Sequence, residues 1–136
     1  MNDTKPMKTL LSGLALSFAL TLGLPNSLLA ADLSDPALVM DEYLVSLVNG
    51  DTDGILERID GRMKSKNRAL ELSPDSYSEF LQTHYEGVQT AVEELSPENG
   101  KIRARVRFDY PNADSSVIDF ILTQTDGQWK ISNEDY

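Results

Sequence analysis

The chain contains no cysteine, one histidine and one tryptophan, and it carries only 12 Lys and Arg against 22 Asp and Glu. Without cysteine there is no disulfide, no thiolate nucleophile and no site for lipoprotein-type acylation, so the folded state has to be held by packing alone. A single imidazole, His84, excludes a multi-histidine metal set, and no metal or cofactor is expected. The formal net charge of −10 argues against nucleic acid as a partner, because general electrostatics would repel phosphate. No apolar run reaches the roughly 20 residues needed to cross a bilayer as a helix. Nucleophile elbow, phosphate loop, nucleic-acid module, internal repeat and low-complexity tract are all missing.

The longest apolar run, Leu10 to Leu24, is preceded by Lys5 and Lys8 and followed by Pro25 and the small-residue exit Ala30-Ala31. A basic start, a short apolar stretch and a small-residue exit are the three regions of a secretory signal. Residues 1–31 are therefore predicted to be a signal peptide and the protein to be exported to the periplasm or the extracellular space, with no stable membrane anchor after cleavage. Residues 32–136 suffice for one core. Setting aside Asp3, Lys5 and Lys8 leaves 10 basic and 21 acidic residues there, a net charge of −11.

Asp35-Pro36 opens a helix, as a side-chain cap followed by a residue whose missing N–H is harmless in the first turn. Met40, Tyr43, Leu44, Leu47 and Val48 then follow helical spacing, and Asn49-Gly50 stops the run. A shorter helix is predicted from about Thr52, capped by Asp51 or Thr52, with Ile55, Leu56 and Ile59 on one side and Gly61 ending or bending it. Residues 62–72 read as a polar, basic connection. Ser73-Pro74 starts a third helix whose buried face carries Tyr77, Phe80, Leu81, His84, Tyr85 and Val88. Gly87 closes it, with Gln89–Leu95 as a first strand and Ser96–Gly100 as a turn, or else the helix runs on to Leu95.

Beyond Gly100 the period changes to two: Ile102, Ala104, Val106, Phe108 and Tyr110 share one face, and Lys101, Arg103, Arg105, Arg107 and Asp109 the other. A further strand spans about Ser116 to Thr125. Asp126-Gly127 marks a type I′ hairpin, placing Gln124 opposite Trp129, Leu122 opposite Ile131 and Phe120 opposite Asn133. The predicted architecture is α+β and two-layered: N-terminal helices packed on a curved antiparallel sheet of about four strands.

Three segments carry a resemblance: LVNGDTDGI (Leu47 to Ile55), YSEFLQTHYEGV (Tyr77 to Val88) and IDFILTQTDGQWKISNED (Ile118 to Asp135). Together they resemble the nuclear transport factor 2-like superfamily, which includes ketosteroid isomerase-like and SnoaL-like proteins. The resemblance implies a cystatin-like cone, with helices in the concave face of a strongly bent sheet around an open or filled pocket. It also implies similarity to small exported bacterial domains of unassigned function, and a homodimer formed through the outer sheet face.

Enzymes of that superfamily use an Asp base and a Tyr or protonated acid inside the cone. Here alternation sends Asp109 and Asp119 to the outer face, Asp119 opposite Arg107 in one register. Two functional readings follow. The first is a non-catalytic exported domain binding a small apolar ligand or a protein partner, with Tyr43, Phe80, His84, Tyr85, Phe108 and Trp129 lining the cavity. The second is a small cone-fold isomerase or lyase working by acid–base chemistry through His84, with Tyr85 or Tyr110 as hydrogen-bond donor. Asn49 to Asp60 also matches much of a calcium loop but departs at both anchoring ends, and Gly50 as a C-cap with Asp51 as an N-cap accounts for the same letters. The basic clusters Arg58–Arg68 and Lys101–Arg107 suit either an anion or lipid-headgroup site or two solvated faces.

Overall fold

Helix starts fall where the local chemistry puts them. The Asp35 carboxylate accepts the Ala37 N–H at 3.0 Å, with Pro36 in the first turn of helix α1 (Pro36–Asn49). The computed structural model describes residues 32–135, so the predicted signal peptide, residues 1–31, lies outside the described residues. Helix α1 ends at Gly50, which adopts φ 69° and donates to the Leu47 carbonyl. Asp51 caps α2 (Thr52–Arg58) by accepting the Gly54 N–H at 3.1 Å.

The stretch read as a plain connection holds two short helices, α3 (Gly61–Lys66), capped by Asp60, and α4 (Ala69–Leu72). Each buries a single apolar side chain, Met63 and Leu70 respectively. One buried residue per helix leaves no periodicity to detect, which is why the sequence pattern is silent there. Helix α5 (Pro74–His84) stops one turn before Gly87, and only Leu81 on it is fully buried. The expected broad buried face is thus corrected to a narrow one, with Phe80 53% exposed and His84 exposed.

The chain then enters four antiparallel strands in the order β1 (Gln89–Glu98), β2 (Lys101–Asp109), β3 (Ser116–Thr125) and β4 (Gln128–Asp135). Gly87 therefore closes the helical half, and residues 89–95 are strand. Strand β1 runs three residues past its expected end, through Pro97, and the turn shrinks to Asn99-Gly100. An edge strand tolerates proline because one row of its backbone groups has no strand partner. Asp126 and Gly127 both have positive φ, 54° and 78°, as a type I′ hairpin requires.

Gln124 pairs with Trp129 and Leu122 with Ile131 as expected, but a bulge then sets in and Phe120 faces Glu134, not Asn133. The extra residue is Ser132, whose hydroxyl donates to the Ile121 carbonyl at 3.3 Å. The free edge of β4 is partly covered, since Trp129 N–H donates to Leu33 and Asp60 N–H to Ile131.

The core lies between the sheet's concave face and the helices. Ala104, Val106, Phe108, Phe120, Leu122 and Ile131 come from the sheet and Val39, Met40, Tyr43, Leu44, Ile55 and Met63 from the helices, all 4% exposed or less. Fully burying one such side chain contributes about 1.5–3 kcal/mol, so these two rows account for most of the adhesion between layers. Outside, Arg103 and Arg105 both reach Asp119, at 3.1 and 3.0 Å, and Arg107 pairs with Glu93 and Asp109. Asp119 faces Arg105 across the ladder, which corrects the Arg107 register. Arg58 on α2 is buried and bonds Glu42 of α1 at 2.6 Å.

Two outcomes test this arrangement. A Cβ on residue 50 would lie 2.6 Å from the Ser78 carbonyl oxygen, whereas one on Gly100, also at positive φ, would meet nothing. Gly50→Ala is expected to lower unfolding free energy by about 3 kcal/mol in urea, and Gly100→Ala by about 1 kcal/mol; equal losses would remove the claim that α1 and α5 meet at this glycine. The Arg105 hydrogen bond, seconded by Arg103, holds the Asp119 carboxyl below the ordinary value of 3.8. A depressed folded-state pKa contributes stability above the unfolded value and loses it as pH falls through the folded one. Asp119→Asn should therefore flatten the fall in melting temperature between about pH 4 and pH 2, and parallel acid limbs in the two proteins would contradict it.

Candidate functional site

Tyr77, Phe80 and His84 recur at helical spacing on α5 and share a cavity wall with residues of β2 and β3. This cavity, of about 200 Å3, opens beneath the helix. Tyr43 from α1, Phe80 and His84 from α5, Tyr85 just beyond it, and Phe108 and Phe120 from β2 and β3 all line this space. Their rings form a continuous series from lip to floor. Phe80 stacks on His84 at 5.5 Å, His84 meets Tyr85 edge-on at 4.6 Å, Tyr85 lies 6.0 Å from Phe108, and Phe120 lies 6.5 Å from Phe108 and 5.6 Å from Tyr43.

Of the six residues singled out from the sequence, five surround this one cavity. Trp129 does not: it sits at the hairpin end of β4, and its side chain is absent from the lining. Hydrophobic alternation correctly gives Trp129 the inner face, but the sheet's inner face is longer than the cavity. Tyr110 is in ring contact with His84 at 6.0 Å and stays outside the lining.

Of the lining residues outside those six, three are polar: Asn67, Tyr77 and Glu134. Asn67 lies in the short-helix region, where its amide donates to the Met63 carbonyl at 2.7 Å and its side-chain oxygen accepts from the Tyr77 hydroxyl at 3.3 Å. Tyr77 sits on the recognised face of α5 and could have been included on spacing alone. Glu134 is the informative omission. Strict alternation from Trp129 would send it outward; the Ser132 bulge adds one residue and turns it inward beside Phe120.

Glu134 is also the one carboxylate of the lining, and its side chain is 15% exposed. Lys66, at the end of α3, pairs with it at 3.4 Å from a position 40% exposed. Burial pushes the Tyr77 hydroxyl pKa up, and the Glu134 charge pushes it in the same direction. Among the described residues, His84 makes ring contacts and no hydrogen bond to a carboxylate, so nothing orients its imidazole as a base. Asp109 and Asp119 are engaged by arginines on the opposite side of the sheet.

The remaining candidates resolve into packing. Asp51 spends its carboxylate on the Gly54 N–H and Asp60 on the Gly61 N–H, and a Cβ at residue 54 would strike the Ser46 hydroxyl at 2.4 Å. The calcium-like letters are thus those of two helix caps and one close helix crossing. Among the described residues no three His, Asp or Glu gather as a metal site would need. The sheet arginines are neutralised by neighbouring carboxylates, and Arg58 is buried, which weakens both basic clusters as anion sites. A second opening of about 460 Å3 between α1 and edge strand β1 is lined by aliphatic residues such as Val45, Val48 and Val92. Asp41, Asn49, Gln89 and Thr90 also line it, but no aromatic ring does, unlike the cavity under α5.

No protein-family model and no curated protein sequence matches this chain. Solved structures do. The chain is similar to a putative NTF2-like transpeptidase from Campylobacter jejuni, at 16% identity and a TM-score of 0.52, over 73% of this chain and 99% of that one. It is also similar to an NTF2-like protein of unknown function from Shewanella baltica OS155, at 10% identity and a TM-score of 0.51, over 72% of this chain and 86% of the other. Identities this low speak to architecture: the chain has the NTF2-like fold, a helical layer on a curved four-stranded antiparallel sheet.

Floor and lip of the cavity should respond differently to truncation. Phe108 is 1% exposed and Phe80 53%. Phe108→Ala is expected to cost about 4 kcal/mol in chemical denaturation, and Phe80→Ala less than about 1 kcal/mol. A large loss at Phe80 would mean that the lip is part of the core.

Proposed function

We propose that this chain is an exported, non-catalytic domain whose aromatic cavity binds a small, largely apolar ligand. The observation that carries the proposal is the cavity itself: rings from four separate elements, α1, α5, β2 and β3, converge on an open space. Side chains in well-packed interiors leave few voids of this size, and a cavity of about 150 Å3 already accommodates benzene. At about 200 Å3 the space suits a molecule of that size or slightly larger. Rings and aliphatic side chains share its wall with Asn67, Tyr77, His84 and Glu134, polar groups of the kind that orient a ligand. Export follows from the leader-like pattern of residues 1–31.

One observation favours the rival reading, acid–base catalysis: His84 stands at the cavity lip in ring contact with Tyr85 and Tyr110. Among the described residues no carboxylate is hydrogen-bonded to its imidazole to orient it as a base, and this reading is therefore placed second.

A titration with phenol, followed through the aromatic carbon–proton correlations of the protein, separates these ideas from an inert cavity. Shifts are expected at Phe80, Tyr85 and Phe108, with the Trp129 indole unmoved. Phenol at millimolar concentration leaving the three rings untouched would overturn the binding proposal. Export is checked by N-terminal sequencing of protein recovered outside the cytoplasm, expected to begin close to residue 32; intact chain confined to the cytoplasm would contradict it.

A further inference from the structure

Charge inside the cavity narrows the ligand further than its size does. The wall is built from aromatic rings, whose faces carry partial negative charge, and its single formal charge is the Glu134 carboxylate. That carboxylate is there only because of the Ser132 bulge, an irregularity that interrupts the ladder and exposes an otherwise regular strand to local distortion. A carboxylate turned inward onto Phe120, with 15% of its side chain exposed, is stabilised by hydrogen-bond donors and by a nearby cation. In this structure Lys66 supplies it from the side, at 3.4 Å, and its ammonium is not part of the lining.

Resting on the reading of this cavity as a ligand site, we propose that its ligand is a small alkylated ammonium, held against the ring faces and beside Glu134, taking over the ion pair that Lys66 makes in this structure. The recognition chemistry is that of a cation over aromatic faces, strengthened by removal from water and by an adjacent carboxylate. Lys66 can yield at little cost, because its side chain is 40% exposed and an ion pair at a surface of that kind is worth about 0–1 kcal/mol. The released ammonium returns to solvent, while the ligand's methyl groups take up apolar contact that the lysine never makes. The acidic chain as a whole, at a net charge of −10, draws cations towards the opening. An anionic ligand meets the opposite conditions: a carboxylate at the wall and no Lys or Arg in the lining.

Choline and neohexyl alcohol, its uncharged carbon isostere, make the test, with affinities taken from calorimetry on the purified protein. Choline is expected to bind about tenfold tighter than the alcohol. Glu134→Gln should cut that preference severalfold, leaving only what the ring faces supply, while the alcohol's affinity stays unchanged. Lys66→Met should raise the affinity for choline by about twofold to fivefold, since the competing ammonium is gone; this variant carries the test independently of whether Glu134→Gln folds. Equal affinities for the two probes would overturn the cation proposal and leave a neutral-ligand cavity standing. A preference undiminished by Glu134→Gln, or one unaltered by Lys66→Met, would trace the selectivity to net charge and overturn it as well. Failure of both probes and of phenol would bring down the cavity as a binding site altogether.

Discussion

The pleat of strand β2 is the constraint on which the molecule turns. Successive side chains point to opposite faces, so Ala104, Val106 and Phe108 must all face the helices once Arg103, Arg105 and Arg107 face water. Shifting this strand by one position would bury three guanidiniums and expose the centre of the core, a penalty no other element could offset. Its neighbours inherit the choice. Val92 lines up with Val106 and Phe120 with Ala104, and the charged faces align in the same way, with Asp119 between Arg103 and Arg105. The outer surface becomes a lattice of intramolecular ion pairs, each of small energy, that keeps a strongly acidic domain from concentrating its negative charge on one side.

Against this sheet the helices are fixed by close approach at two glycines. Gly50 brings the end of α1 against α5, where the Ser78 hydroxyl donates to the Gly50 carbonyl at 2.7 Å and the Gln82 amide to that of Asn49 at 3.1 Å. Gly54 lets α2 sit on Ser46 of α1, and Arg58, one turn further on, closes the same crossing by bonding both the Gly54 carbonyl and Glu42. A segment whose letters look like an ion-binding loop is in this way fully used by packing. The same residue types, Asp, Asn and Gly, serve calcium loops and helix junctions for the same reason: short oxygen-bearing side chains and unhindered backbones.

How much of this was legible in the residues follows from how each feature is encoded. Period-two strands and the Asp126-Gly127 turn are written in every second side chain, so the order of elements, the hairpin and the inner face of β2 could be read directly. A bulge is written in one residue whose identity, serine, is unremarkable. The pairing of Phe120 with Glu134 and the inward turn of that carboxylate were consequently invisible, and with them the polar corner of the cavity. The short helices α3 and α4 hide for a similar reason, having one buried side chain each. On α5 the spacing of Tyr77, Phe80 and His84 was plain, but spacing says only that they share a face. Whether a core or a void lies beneath depends on how far the sheet bends.

That bend explains why an open cavity is affordable in a small domain without disulfides. The residues that hold the layers together, Val39, Met40, Val106, Phe108, Phe120, Leu122 and Ile131, form a block that is complete without α5, which contributes only Leu81 to it. Helix α5 is anchored at its flank by Ser78 and Gln82 to the end of α1, so it can stand off the sheet without being lost. Filling the space would need only a larger residue at Leu47 or Ile118, both of which already line it. The chain instead places rings at the lip, where Phe80 stays 53% exposed, and turns a carboxylate to the wall. Neither choice helps the fold: an exposed ring forgoes burial, and an inward carboxylate needs a borrowed lysine. Features that oppose stability and converge on one cavity are places where a constraint other than packing has set the residues.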